Sequence, residues 1–225
     1  MNFPVNIWTR LISHIVQVPI TKATSHQGEP LHIHLIKGRL QLSTDKAVYS
    51  FDDKYDNFVD GLKAIRPEKF RNTPFLILGG GLGSVPYILE RKHSITPHFT
   101  IVEIDIAIIH LFNQFTKPRL QSDIDIHAVD AERFVHNTSN KYGVIVIDLF
   151  IDDCIPDKFQ TKEFLSQCRQ ALLPHGVILF NWMTVTKAET ETFFAYKTYV
   201  FDSVLRKTKA IKTKYNHILI GYNSQ

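Results

Sequence analysis

Apolar and polar positions alternate in short runs over the first fifty residues. The segments 13–19, 31–36, 39–43 and 47–51 each read as a half-buried strand. Turn-forming pieces separate them: Gln27-Gly28-Glu29-Pro30, Lys37-Gly38 and Thr44-Asp45-Lys46. The pattern predicts a small antiparallel β-element over 1–51, too small to hold a core alone. The texture then changes. Tyr55, Phe58, Val59, Leu62 and Ile65 recur at helical spacing, and Pro67 marks the helix end. From there strand and helix alternate. Strands are predicted at 75–78, 99–103, 124–129, 144–149 and 177–182, with helices at 85–92, 106–115, 131–136, 161–173 and 187–199. A strand pair at 204–213 and 217–222 closes the chain. Five strand–helix alternations imply a doubly wound α/β domain over 52–225, with the final pair at a sheet edge. The fold class is therefore a Rossmann-like, seven-stranded, mostly parallel sheet with a small N-terminal antiparallel β-element.

Composition narrows the setting. The 225 residues are 44% hydrophobic and 21% charged, which is ordinary for a globular chain and excludes a disordered or collagen-like one. No run approaches the roughly 18 apolar residues of a membrane span. Ser13, His14, Gln17 and Pro19 interrupt the apolar stretch 11–20, so it reads as a strand rather than a secretory signal. The two cysteines, Cys154 and Cys168, lack CxxC spacing and suggest free thiols in a reducing cytoplasm. A net charge of +4 names no partner.

Candidate chemistry gathers at the carboxyl ends of the predicted parallel strands, where open α/β sheets bind ligands. Gly79-Gly80-Gly81-Leu82-Gly83-Ser84 follows a strand and opens a helix, a context that lets backbone approach a nucleotide closely. Glu103, twenty residues beyond Gly83, ends the second strand and can accept hydrogen bonds from both ribose hydroxyls of an adenosine. Asp105 reads as the cap of the next helix. Asp130-Ala131 ends the third strand, where an acid can meet the adenine amino group. Asp148 ends the most apolar strand. A dinucleotide site explains the first two of these positions but requires neither Asp130 nor Asp148.

These residues, within ILGGGLGS, VEID, DAERF, YGVIVIDLF and TKEFLSQCRQALLPHGVILFNW, resemble the spermidine synthase-like branch of the S-adenosylmethionine-fold superfamily. The resemblance implies a transferase that takes S-adenosylmethionine or its decarboxylated form as co-substrate, without a metal. Gly79, Gly80, Gly81, Gly83, Glu103, Asp130 and Ala131 would hold the adenosine. Asp148 would be the general base and Tyr55 would shape an amine pocket, with Asp152 and Asp153 binding the acceptor. The partner implied is a small amine or other small acceptor, with a homodimer compatible and no membrane or nucleic-acid partner called for.

The chain departs from the family pattern at three places. Leu82 and Ser84 replace the Asp and final Gly of GGGDGG, and Ile151 stands where the second acid of D-S-S-D-P is expected. A leucine cannot accept the hydrogen bond by which that Asp holds the donor amine. Methyl transfer, and a nucleoside- or protein-binding member without turnover, therefore stay open as alternatives. Asp52, Asp53, Asp56 and Asp157 could add negative charge to the mouth, although Asp52 and Asp53 also read as helix caps. Asn181-Trp182 ends the fifth strand, near an acceptor or packed at the sheet. His32-x-His34 lacks a third metal ligand, and the basic run from Arg206 to Lys214 reads as a solvated strand pair.

Overall fold

The computed structural model describes residues 5–151 and 154–223. It begins with helix α1 (Ile7–Ile12), followed by four antiparallel strands: β1 (Val18–Thr24), β2 (Pro30–Ile36), β3 (Arg39–Ser43) and β4 (Val48–Phe51). Helix α2 (Asp56–Ile65) leads into β5 (Phe75–Leu78), α3 (Ser84–His93), β6 (Phe99–Glu103) and α4 (Ile106–Phe115). Then come β7 (Ile124–Ala128), α5 (Ala131–Asn137), β8 (Tyr142–Ile147), α6 (Lys162–Gln170) and β9 (Leu172–Met183). Helix α7 (Lys187–Tyr196) runs on into a π-turn at Lys197–Phe201, and the hairpin β10 (Arg206–Lys212) and β11 (Asn216–Tyr222) ends the fold.

The first four strands form one sheet in chain order, and the other seven form a second sheet ordered β10-β11-β9-β8-β5-β6-β7. Strands β9, β8, β5, β6 and β7 are mutually parallel, and β11 joins β9 antiparallel. Every residue of β5 and β8 is buried, because helices cover both faces. One core lies between the sheet and α5, α6 and α7, around Tyr142, Phe164, Phe180 and Phe193. The opposite core packs Phe58 and Leu62 of α2 and Leu89 of α3 on Ile77 and Val146. A third joins the N-terminal sheet to α4.

The chain leaves β5 in one direction toward β6 and β7 and returns on its other side through β8 and β9. The switch point between β5 and β8 is thus where Gly79 and Asp148 emerge side by side.

One predicted element is corrected. Residues 13–17 are not strand: α1 occupies 7–12, and β1 starts only at Val18. The Asn6 side chain accepts from the Thr9 amide at 2.8 Å and caps the helix, a start signal reinforced by Ile7, Trp8, Leu11 and Ile12 at helical spacing. Buried Ser13 then takes over, accepting the Lys37 amide on its carbonyl and the Gly38 amide on its hydroxyl.

Candidate active site

A cleft of about 1170 Å³ opens above the carboxyl ends of β5, β6 and β8 and beneath the N-terminal sheet. Its floor depends on glycine. Gly79 has φ +86°, and a Cβ there would stand 2.1 Å from the carbonyl oxygen of Asp148. At Gly80 a Cβ would meet Ile101 at 2.4 Å. Only a bare backbone lets this loop lie flat between two strands.

Leu82 turns away from the cleft. It is 1% exposed, packed with Leu31, Leu42 and Ile108 in the core that joins the N-terminal sheet to α4. Ser84 also points to that sheet, its hydroxyl 2.7 Å from that of Ser50 and accepting the Phe51 amide at 2.9 Å. The two departures from GGGDGG serve the joint between the sheets.

Glu103 reaches across from β6. Its Oε2 accepts the amides of Gly80 (3.1 Å) and Gly81 (3.2 Å), and its Oε1 accepts that of Asp105 (3.0 Å). Burial pushes its carboxyl up, opposed by these amides. The Ile104 amide also hydrogen-bonds it, so four backbone amides fill the roughly four lone-pair sites of the carboxylate. Asp105 caps α4 through the Ala107 amide, as expected, and its other oxygen accepts the His26 amide. Asp130 lines the cleft but is heavily engaged: Oδ1 caps α5 through Glu132 and Arg133, and Oδ2 pairs with Lys158. Burial disfavours its charge, yet Lys158 and the amides outweigh that and hold its carboxyl below the usual range. Ala131 lies beside it, buried against the cleft.

Asp148 follows β8 directly, its amide donating to Leu78. Its Oδ1 accepts from Asn181 Nδ2 at 2.9 Å, and the Tyr55 hydroxyl also hydrogen-bonds the carboxylate. These contacts belong to a closed ring. Asn216 donates its side-chain amide to Asn181 Oδ1 (2.9 Å) and its backbone amide to the Thr213 hydroxyl (3.2 Å). Thr213 donates to Asn57 Oδ1 at 2.8 Å, and Asn57 bonds the Tyr55 oxygen. Burial raises the Asp148 carboxyl to about 7, against the pull of Asn181 and Tyr55 and with a further push from the Glu103 charge. Burial likewise drives the Tyr55 phenol well up, so it stays a neutral donor.

Sequence reasoning named Asp148 and Tyr55 but missed this ring, along with Lys158. Asn57, Thr213 and Asn216 are ordinary helix, turn and strand residues in sequence, and only the meeting of α2 with the β10–β11 hairpin joins them. Trp182 packs against Tyr196 and Phe180 in the core.

The expected acidic mouth is corrected in part: Asp56 lines the cleft, but Asp52 and Asp53 do not. Asp52 is buried in a two-pronged ion pair with Arg119 (2.6 and 3.0 Å), and Asp53 pairs with Arg39 at 2.6 Å. Neither lines the cleft or caps a helix. Asp157 is exposed, while Lys37, Lys46 and Lys54 face the cleft from the N-terminal side, so the mouth is mixed in charge. Asp152 and Asp153 lie outside the described residues. Ile151, just before them, faces the cleft. Strand β10 is the exposed sheet edge and carries the basic run. Among the described residues, no three His, Cys, Asp or Glu side chains gather as a metal site, and no helix is long and apolar enough to cross a membrane.

A family model described as "Spermine/spermidine synthase domain" matches residues 66–219. The polyamine aminopropyltransferase of Vibrio vulnificus is 30% identical over 115 residues, covering 50% of this chain and 38% of that protein. That of Oceanobacillus iheyensis is 28% identical over 194 residues, covering 79% and 35%. The chain thus spans less than two fifths of these relatives' lengths. Among solved structures, spermidine synthase from Thermotoga maritima aligns with a TM-score of 0.69 at 18% identity, over 91% of this chain and 72% of that one. Human methyltransferase-like protein 13, in complex with SAH, aligns with a TM-score of 0.60 at 21% identity, over 73% and 81%. Both are likenesses of fold.

Proposed function

The chain belongs to the spermine/spermidine synthase family, and from that premise we propose that it transfers an aminopropyl group from decarboxylated S-adenosylmethionine to an amine. The observation that carries this reading is the buried Asp148, held by Tyr55 and Asn181 beside the Gly79 turn, with its carboxyl raised to about 7.

The chemistry needs such a group. A neutral amine nitrogen attacks the carbon next to the sulfonium. The C–N bond forms as the C–S bond breaks, its electron pair passes to sulfur, and methylthioadenosine leaves. The amine must first lose a proton. An alkylammonium titrates at roughly 10.4, so an ordinary carboxylate lies about 6.6 pKa units below it, and Asp148 only about 3.4. Raising the base shrinks the cost of proton transfer by roughly half. In this reading the Gly79–Gly83 turn carries the nucleoside. Glu103 lies at the end of β6 where the ribose would sit, and would exchange an amide for a ribose hydroxyl, while Ala131, with Asp130 and Lys158 beside it, borders the adenine.

One observation favours a second reading. Leu82 is buried away from the cleft, so the glycine turn offers no carboxylate for the ammonium of a decarboxylated donor. Methyl transfer from S-adenosylmethionine does not need one, and orientation supplies much of its rate. Calorimetric titration with S-adenosylmethionine, its decarboxylated form and methylthioadenosine, followed by turnover with an amine, separates the two. Binding and consumption of the decarboxylated donor support aminopropyl transfer. A methylated product from S-adenosylmethionine alone would replace it, and no binding of any nucleoside would reject both.

A further inference from the structure

Helix α1 docks on the fold by its polar side. Ser13, just past its end, accepts the Lys37 and Gly38 amides, and a Cβ on Gly38 would stand 3.4 Å from His14 and 3.6 Å from Arg10. No residue of Ile7–Ile12 is buried. The helical path continues past Ile12, because the Ser13 amide donates to Thr9 and the Val16 amide to Ile12, each four residues back. Ile7, Trp8, Leu11, Ile12, Ile15 and Val16 therefore share one side, each 51–87% exposed. Six of the 14 large apolar side chains exposed among the described residues fall in this one stretch, so they form a patch and not a scatter. An ordinary surface helix turns such a face to its core.

Two features say what covers it. At about 3.6 residues per turn the six side chains span about half the circumference, wider than the stripe of about 100° by which a helix packs on protein. Immersion in the headgroup–acyl boundary of a bilayer covers such an arc whole. The charge around the patch is of one sign. No acid occurs before Glu29, while Arg10 and Lys37 flank the patch, both exposed. Asp52 and Asp53, the acids that follow β4 at this end of the sheet, are held by Arg119 and Arg39. A second copy laid on the same face would bring its own cations against these. Trp8 adds the amphipathic ring that suits a membrane–water boundary.

We propose that the outer face of α1 binds an anionic lipid surface, lying in the interface without crossing it. The sequence called for no membrane partner because it does not display which side of this helix is docked. The proposal is independent of the reaction carried out in the cleft.

The test is co-sedimentation of the full chain with phosphatidylcholine vesicles, with and without about one third phosphatidylglycerol, read beside tryptophan emission. The chain has two tryptophans and Trp182 is buried, so a shift reports on Trp8. Binding should be at least tenfold tighter to the anionic vesicles, weaken in high salt and move the Trp8 emission to the blue. Leu11→Asp combined with Ile12→Asp, at exposed positions where folding is not at stake, should cut vesicle binding at least tenfold. No binding, equal binding to neutral vesicles, or binding untouched by the paired substitutions would overturn the proposal. So would a lipid-free blue shift that grows with protein concentration, with a dimer in sedimentation equilibrium that the same substitutions dissociate. The face would then be a self-association surface.

Discussion

Asn181 holds one oxygen of Asp148 at 2.9 Å from inside the sheet, where it is itself 1% exposed and bonded to Asn216 on its other side. The contact does two things at once: it aims the carboxylate at the cleft, and it stabilises the charged form that burial opposes.

Replacing Asn181 by leucine should therefore raise the Asp148 pKa further above 7. A hydrogen bond to a charged group contributes about 1.5–3 kcal/mol, so the rate at pH 7 should fall roughly tenfold to a hundredfold and recover as pH rises. Nucleoside affinity should be little changed. A pH–rate profile beside a methylthioadenosine titration checks both halves.

Asp148 also makes the fold pH-dependent, with a definite sign. Its folded pKa lies above its unfolded value, so its contribution to stability is complete below about pH 3.8 and is lost as pH rises through about 7. Asp148→Asn removes that titration. Relative to wild type, the variant should gain about 2.5 kcal/mol between pH 5 and pH 8, measured by urea unfolding at each pH. An unchanging difference would mean that Asp148 titrates normally.

The ion pair of Asp52 and Arg119 ties the end of the N-terminal sheet to the segment after α4, and Leu40 donates its amide to the same carboxylate. Arg119→Met leaves Asp52 buried without its cation and should cost about 3–5 kcal/mol. Asp52→Leu combined with Arg119→Met should recover much of that loss, because no charge is then stranded. Denaturant midpoints of the single and double variants decide it.

Leu82→Asp would restore the Asp of the family's glycine motif in sequence but not in space. The side chain is directed into the core under the N-terminal sheet, so the substitution should destabilise the protein by about 4 kcal/mol or more at pH 8. It should not improve affinity for decarboxylated S-adenosylmethionine over S-adenosylmethionine. Thermal unfolding and calorimetry with the two donors test these expectations together.

Much of this architecture is legible in the residues because it is local. The run Phe75–Leu78 and the Val/Ile run of β8 are apolar at every position, as strands covered on both faces must be, and glycines follow where β5 turns. Glu103 and Asp148 could be placed because strand ends follow from those runs. What sequence does not display is side-chain direction and long-range pairing. Leu82 reads as a lost ligand until its neighbours Leu31 and Ile108 are seen. Asp52 reads as a cleft acid until Arg119, 67 residues away, is found against it. The ring through Asn57, Asn181, Thr213 and Asn216 joins three parts of the chain that share no periodicity.

The central claim is that Asp148 is the base of an amine alkylation, titrating near neutrality within a cleft that holds an adenosyl donor. The most direct measurement is methylthioadenosine release from decarboxylated S-adenosylmethionine and an amine, followed from pH 5 to 9 for wild type and Asp148→Asn. The account predicts kcat/KM rising with pH through a break near 7 in wild type, and a rate at least a hundredfold lower, without that break, in the variant. Equal rates in the two proteins, or a wild-type profile flat across neutrality, would contradict it.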